Sequence, residues 1–176
     1  WIFQKETRFT TAGKSIATFC QNWSNSNLFR IDICREIAIA IKNEIQYKAG
    51  ETDISTTAEQ AFQKKIGVCQ DFTHIFLTCM RQLDIPARYV SGYLRLKEQK
   101  IQNATHAWAE VFIERLGWVG FDPANNVDVD DSYIMLATGC DYQDANPTNG
   151  FQFDSENSSV VNQIEIKKKK NRDMSQ

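Results

Sequence analysis

A chain of 176 residues, 42% apolar and 24% charged, has room for one domain with a full core and is too apolar to be intrinsically disordered. Its formal net charge of −2 offers no electrostatic footprint for a nucleic acid, and its apolar runs fall far short of the ~20 residues that span a bilayer. Five cysteines (Cys20, Cys34, Cys69, Cys79 and Cys140), odd in number and without a CxxC pair, suggest neither a disulfide framework nor a zinc site and point to a reducing cytoplasm.

The chain opens at Trp1 without a methionine, which reads as a piece of a longer protein, with an upstream domain or signal outside it. Trp1 to Thr10, apolar then charged, is expected to be a strand left from an upstream β domain. Ile16, Phe19, Cys20 and Trp23 fall at helical spacing over Ala12 to Trp23, and Ser24 to Asn27 ends that helix. A second helix is predicted from Leu28 to Tyr47, with Ile33, Ile37, Ile41 and Ile45 four residues apart, closed by Ala49 and Gly50. Thr56-Thr57-Ala58-Glu59 reads as a capping box for a short helix that Gly67 ends. From Cys69 to Asp84 the apolar positions Phe72, Ile75, Phe76, Cys79, Met80 and Leu83 form a stripe wide enough to bury a helix against a sheet.

Pro86 then begins an extended region. Strands are predicted over Arg88 to Leu96, His106 to Glu114 and Trp118 to Asp122, with Arg115-Leu116-Gly117 as a hairpin turn. Residues 124 to 150 read as an acidic loop region. Phe151 to Phe153 and Val160 to Ile166 read as late strands, and Lys167 to Gln176 as a basic flexible tail. The organisation expected is a remnant over 1–10, a core over 11–166 and a tail over 167–176. Helices first and strands afterwards place the core in the α+β class.

Cys69 sits where a helix begins, so free backbone N–H groups and the positive end of the helix dipole favour a thiolate there. The same N–H groups suit a developing oxyanion. Asp71 in the first turn opposes thiolate formation, so a cationic partner is needed, and only histidine both takes and returns a proton near neutral pH. The sequence offers His74 and His106. His74 lies five residues along the same helix, roughly 140° around its axis, and points away from Cys69. His106 opens one strand of the predicted hairpin, and Asp122 ends the other. An even register puts Asp122 opposite Trp108, with His106 one diagonal step away on the same face, ~7–8 Å between backbones. There a carboxylate fixes the tautomer of an imidazole; an odd register puts the two on opposite faces.

Several blocks of this sequence resemble the bacterial transglutaminase-like proteins, in the family's order. Gly67 to His74 is similar to the GxCxD element, and Ile85-Pro86-Ala87-Arg88 through Gly92-Tyr93 to the IPARxVxGY element. His106-Ala107-Trp108-Ala109-Glu110-Val111 resembles HAWxEV, Gly117 to Pro123 resembles GWxxxDP, and Gly139 to Pro147 resembles GRDYxDVxP. Asp84, Thr73 and Cys140 stand where the family often has Gly, Ala and Arg. The resemblance implies a papain-like core, with helices packed on an antiparallel sheet. It makes Cys69 the nucleophile, His106 the general acid and base, and Asp122 its orienter. The expected activity is hydrolysis of peptide or amide bonds through a thioester, as in predicted cysteine proteases of this superfamily. Acyl transfer to an amine and a non-catalytic peptide-binding module remain as alternatives.

Gln70 and Tyr47 are the candidates for a second oxyanion donor. Trp108, Trp118 and Phe121 are candidates to wall an acyl-binding cleft, or else to pack the hairpin. Arg88 and Tyr93 are candidates to line the site, with the strand surface as the default. Asp128-Val129-Asp130-Asp131 lacks the spacing of an EF-hand loop and is expected to be solvated, so no metal or cofactor is called for. The partners expected are a peptide or protein substrate and the chain's own upstream domain, with neither a nucleic acid nor a membrane.

Overall fold

A computed structural model describes residues 2–95 and 105–146, together with the backbone of 101–102 and 164–165. Four helices precede the sheet: α1 (Lys14–Cys20), α2 (Arg30–Glu44), α3 (Ala58–Lys64) and α4 (Cys69–Gln82). Two short strands, β1 (Gln46–Tyr47) and β2 (Ile66–Gly67), pair in parallel between them. After α4 come β3 (Ala87–Leu94), β4 (Ile101–Gln102), β5 (His106–Ile113), β6 (Gly117–Asp122), β7 (Val127–Asp128), β8 (Tyr133–Gly139) and β9 (Ile164–Glu165). An antiparallel sheet runs in the order β7-β6-β5-β3-β8, and β4 pairs with β9. The α+β class is the one expected.

The helix ends follow local chemistry. Thr57 caps α3 through a reciprocal pair with Gln60, one residue later than the expected Thr56–Glu59 box. Glu59 is engaged elsewhere: its carboxylate accepts the Ser15 and Ile16 N–H groups at 2.8 and 3.1 Å, capping α1 from a neighbouring helix. Helix α3 stops at Lys65, whose φ of 58° lies in the left-handed region, and not at Gly67, which belongs to β2.

Helix α4 is the centre of the core. The expected stripe is exceeded, because every residue from Asp71 to Arg81 is buried. Strands β3 and β5 cover one side, and α1, α2 and α3 the other. Its polar residues survive burial by bonding locally: Thr73 donates to the Cys69 carbonyl and Thr78 to that of His74, both at 2.8 Å. Arg81 donates to Thr10 Oγ1, to the Ala87 carbonyl at 3.3 Å and to the Cys140 carbonyl at 2.6 Å, tying the N-terminal segment and the loop after β8 to the helix. Strand β5 turns Ala107, Ala109, Val111 and Ile113 into the same core.

Four further expectations change. Ile2–Gln4 forms a 3-10 turn, not a strand, and Gln4 donates to the Asp84 carbonyl at 3.0 Å. The second helix ends at Glu44, and Gln46–Tyr47 leaves it to pair with Ile66–Gly67. The region expected to be loop contains β7 and the seven-residue β8. Tyr93 is buried rather than at the strand surface, whereas Arg88 is half-buried in an ion pair with Glu110 at 2.6 Å, over the Trp118 ring. The strand expected over 151–153, most of that expected over 160–166 and the tail over 167–176 lie outside the described residues.

Candidate active site

Cys69 is the first residue of α4, after the extended Val68, and is half-buried. Asp71 fixes that entry: its Oδ2 accepts the Val68 N–H at 2.8 Å and the Thr52 hydroxyl at 2.7 Å. Asp71 is itself buried, and burial raises its carboxyl above the ordinary range against those two hydrogen bonds.

The β5–β6 hairpin turns at Arg115 and Gly117, with φ of 71° and 80°. Ala109 pairs with Phe121 and Glu110 with Gly120, which is the even register that brings His106 and Asp122 to one face. His106 Nε2 lies 2.6 Å from Asp122 Oδ2, and the Cys69 thiol is near enough to the imidazole to raise its pKa. With Nε2 taken by the carboxylate, Nδ1 is the nitrogen left for the thiol. The three residues thus form one continuous chain from the helical layer into the sheet.

Asp122 has no exposed side-chain surface and is satisfied on both oxygens. Oδ1 accepts the Ala124 and Asn125 N–H groups at 3.0 and 3.1 Å. Oδ2 accepts Asn125 Nδ2 at 2.7 Å and the Tyr133 hydroxyl at 2.8 Å, besides His106. Burial pushes its pKa up, but these bonds outweigh burial and hold the carboxyl below its ordinary value. His106 follows the same rule with the opposite sign of charge. Burial disfavours its imidazolium, yet the bonds to Asp122 and Cys69 and the charge of Asp122 raise it to about 9. Lys42 on α2 donates to the Ala124 carbonyl at 2.6 Å, bracing the turn that presents Asp122.

Tyr47 reaches the site through the β1–β2 pairing, which sets it beside Gly67. Burial, then the neighbouring Cys69, push its phenol pKa up, and the Cys69 backbone N–H works in the opposite direction. Gln70 is half-buried in the first turn of α4. Trp108 is 1% exposed and stacks on His106, with Tyr133 edge-on at 5.2 Å. It supports the imidazole from behind and does not line open space, which corrects its expected lining role. Gly92 makes that packing possible, since a Cβ there would collide with the Ile134 carbonyl and the Trp108 ring.

Phe121 lies in the core against Phe76, and Trp118 contacts Phe3, Phe112 and Arg88 at the far end of the hairpin. His74 is wholly buried, as a packing residue should be: Nε2 accepts the Tyr142 N–H at 3.2 Å, and the ring stacks on Phe9. Asp128 pairs with Arg35 at 2.6 Å. Among the described residues no three acidic, histidine or cysteine side chains converge as a metal would require. Asn125 and Tyr133, which hold Asp122, carry no sequence signal beyond the nearness of Asn125 to the Asp-Pro turn.

The other thiols differ in setting. Burial pushes Cys34 up to about 12 and raises Cys140, and burial with the neighbouring Cys20 side chain raises Cys79.

Comparison with known proteins gives the family and the fold. Residues 17–123 match the profile of the Transglutaminase-like superfamily. An uncharacterized protein of Mycobacterium tuberculosis is 36% identical over 141 residues, 74% of this chain and 45% of that protein. The chain therefore spans less than half the length of the mycobacterial relatives it matches. In three dimensions it is similar to a candidate cysteine protease of Cytophaga hutchinsonii, with a TM-score of 0.75 and 26% identity over 95% of this chain and 56% of the other. The periplasmic domain of TgpA from Pseudomonas aeruginosa shares the fold, with a TM-score of 0.54 and 16% identity over 70% of this chain and 46% of that one. A cysteine at the mouth of a buried helix, joined through an imidazole to a carboxylate on an antiparallel sheet, is thus accompanied by matches in sequence and in fold: the chain belongs to the transglutaminase-like superfamily.

Proposed function

We propose that the chain is a cysteine-nucleophile hydrolase of peptide or amide bonds, with Cys69 as nucleophile, His106 as general acid and base and Asp122 as orienter. The observation that carries this reading is the Cys69 thiol beside the His106 imidazole, whose Nε2 lies 2.6 Å from Asp122. The thiolate attacks the carbonyl carbon, and the oxyanion is held by the Cys69 N–H and by the Tyr47 hydroxyl beside it, or by Gln70. His106 gives its proton to the departing amine, leaving a thioester. Water, deprotonated by the same imidazole, then releases the acid and restores the thiol.

An amine in place of water makes the same machinery an acyl transferase, and His106 serves both outcomes. Five unbridged thiols suit a reducing compartment such as the cytoplasm. The substrate is a peptide or protein.

Iodoacetamide at mildly acidic pH should label Cys69 ahead of the other four cysteines, as read by peptide mapping. Equal labelling of all five would refute the paired nucleophile. Mass spectrometry of a glutamine-containing peptide, with and without a primary amine, then separates hydrolysis from transfer.

A further inference from the structure

The two edges of the sheet are finished differently. Strand β7 is two residues long and carries Asp128, paired with Arg35, which is how edges are ordinarily kept from pairing further. Strand β8 is seven residues long, reads Tyr-Ile-Met-Leu-Ala-Thr-Gly and holds neither a charge nor a proline. It is the last strand of the order, and among the described residues nothing pairs with its outer side. Ile134, Met135 and Leu136 are 36%, 45% and 50% exposed. The register steps from Ser91 opposite Ala137 to Gly92 opposite Met135, so Leu136 is the extra residue of a bulge. A bulge there re-aims a side chain beside a site.

This open edge runs into the chemistry described above. Tyr133, its first residue, donates to Asp122 Oδ2 at 2.8 Å and packs against Trp108. Between Tyr133 and Cys69 stand the Asp122 carboxylate and the His106 imidazole, so the strand begins a few side chains from the thiol. We propose that an extended polypeptide adds to the outer edge of β8 as a further strand and continues from there to Cys69. The substrate class is then an unfolded or loop segment with apolar side chains, not a free amide or a single amino acid. Backbone pairing supplies affinity, and Ile134, Met135 and Leu136 select apolar neighbours of the reacting residue. This rests on the hydrolase reading for its chemistry but not for its binding.

The binding test uses the full chain carrying Cys69→Ala, so that no turnover intervenes, and a twelve-residue apolar peptide containing one glutamine. Hydrogen exchange over residues 133–139 should slow at least fivefold with the peptide, and the effect should vanish when alternate peptide amides are N-methylated. Unchanged exchange overturns the proposal. So does exchange already fully suppressed without peptide, which would mean that a second copy or residues 147–163 cover the edge.

A kinetic arm keeps the two ideas apart. In Met135→Lys and Leu136→Lys, kcat/KM for the peptide should fall about tenfold further than for p-nitrophenyl acetate. Equal falls overturn the edge. Failure of the unaltered chain to turn over either compound overturns the hydrolase reading, and the exchange result then decides the edge alone.

Discussion

The mouth of α4 and its middle each bury a histidine, and the two are held in opposite charge states. His74, in the middle, faces the rings of Phe9 and Tyr89 and a backbone N–H, with no partner for Nδ1 among the described residues. Burial and the neighbouring Arg81 lower it to about 3, so it stays neutral. His106, at the mouth, is nearly as enclosed but has a carboxylate on one nitrogen and a thiol for the other, and is raised to about 9. Burial alone neutralises an imidazole, whereas burial beside a fixed anion charges it. Catalysis asks for the second arrangement, and packing for the first.

The comparison is broken most directly by removing the anion. Asp122→Asn should lower kcat/KM on the order of 10³–10⁴-fold, as loss of an orienting acid does in related triads, and should move the alkaline limb of the pH profile down from about 9. An alkaline limb that stays in place would show that Asp122 does not charge His106.

Stability against pH should separate the two histidines next. For His106 the folded value exceeds the unfolded 6.5, so its contribution of up to about 3 kcal/mol is complete below 6.5 and is lost as pH rises through about 9. For His74 the sign reverses: its contribution is complete above 6.5 and falls by about 2 kcal/mol by pH 5. Urea titrations of His106→Gln and His74→Gln across pH should each flatten one of these limbs and leave the other.

Tyr133→Phe sharpens the first case. It removes one donor from a carboxylate that keeps four others and should cost about tenfold in kcat, with a small upward shift of the acid limb of the pH profile, because the carboxyl loses a bond that holds its pKa down. The smallest effect on activity is expected from His74→Leu. It leaves the Tyr142 N–H without its acceptor and lowers stability by about 1–3 kcal/mol, yet kcat/KM should stay within about twofold.

The same contrast explains what was legible in the sequence. Helix α4 and the β5–β6 hairpin announce themselves through long periodic patterns, which put His106 and Asp122 on neighbouring strands but leave an even or an odd register open; joining them to Cys69 rests on the resemblance to the transglutaminase-like proteins. Features without a period were missed. Gln46–Tyr47 was absorbed into α2 because Ile45 continues the series Ile33, Ile37, Ile41. Strand β8 shows three consecutive apolar residues at a bulged edge, so it lacks the alternation that marks a half-buried strand. Thr57 rather than Thr56 caps α3 because Glu59 bonds to another helix, a long-range engagement that local spacing does not reveal. Asn125 and Tyr133 reach Asp122 from a turn and a strand that only the folded sheet brings near.

The brace from Lys42 to the Ala124 carbonyl has a consequence for how the protein ages and adapts. Cys69 and the His106–Asp122 pair ride on separate layers, and this ammonium is a strut between the helices and the turn after Asp122. Damage or drift that lets the layers slide should silence the protein while its helices and strands are still intact. Loss of function on storage or mild heating is therefore expected to precede any change a spectroscopic measure of secondary structure would register.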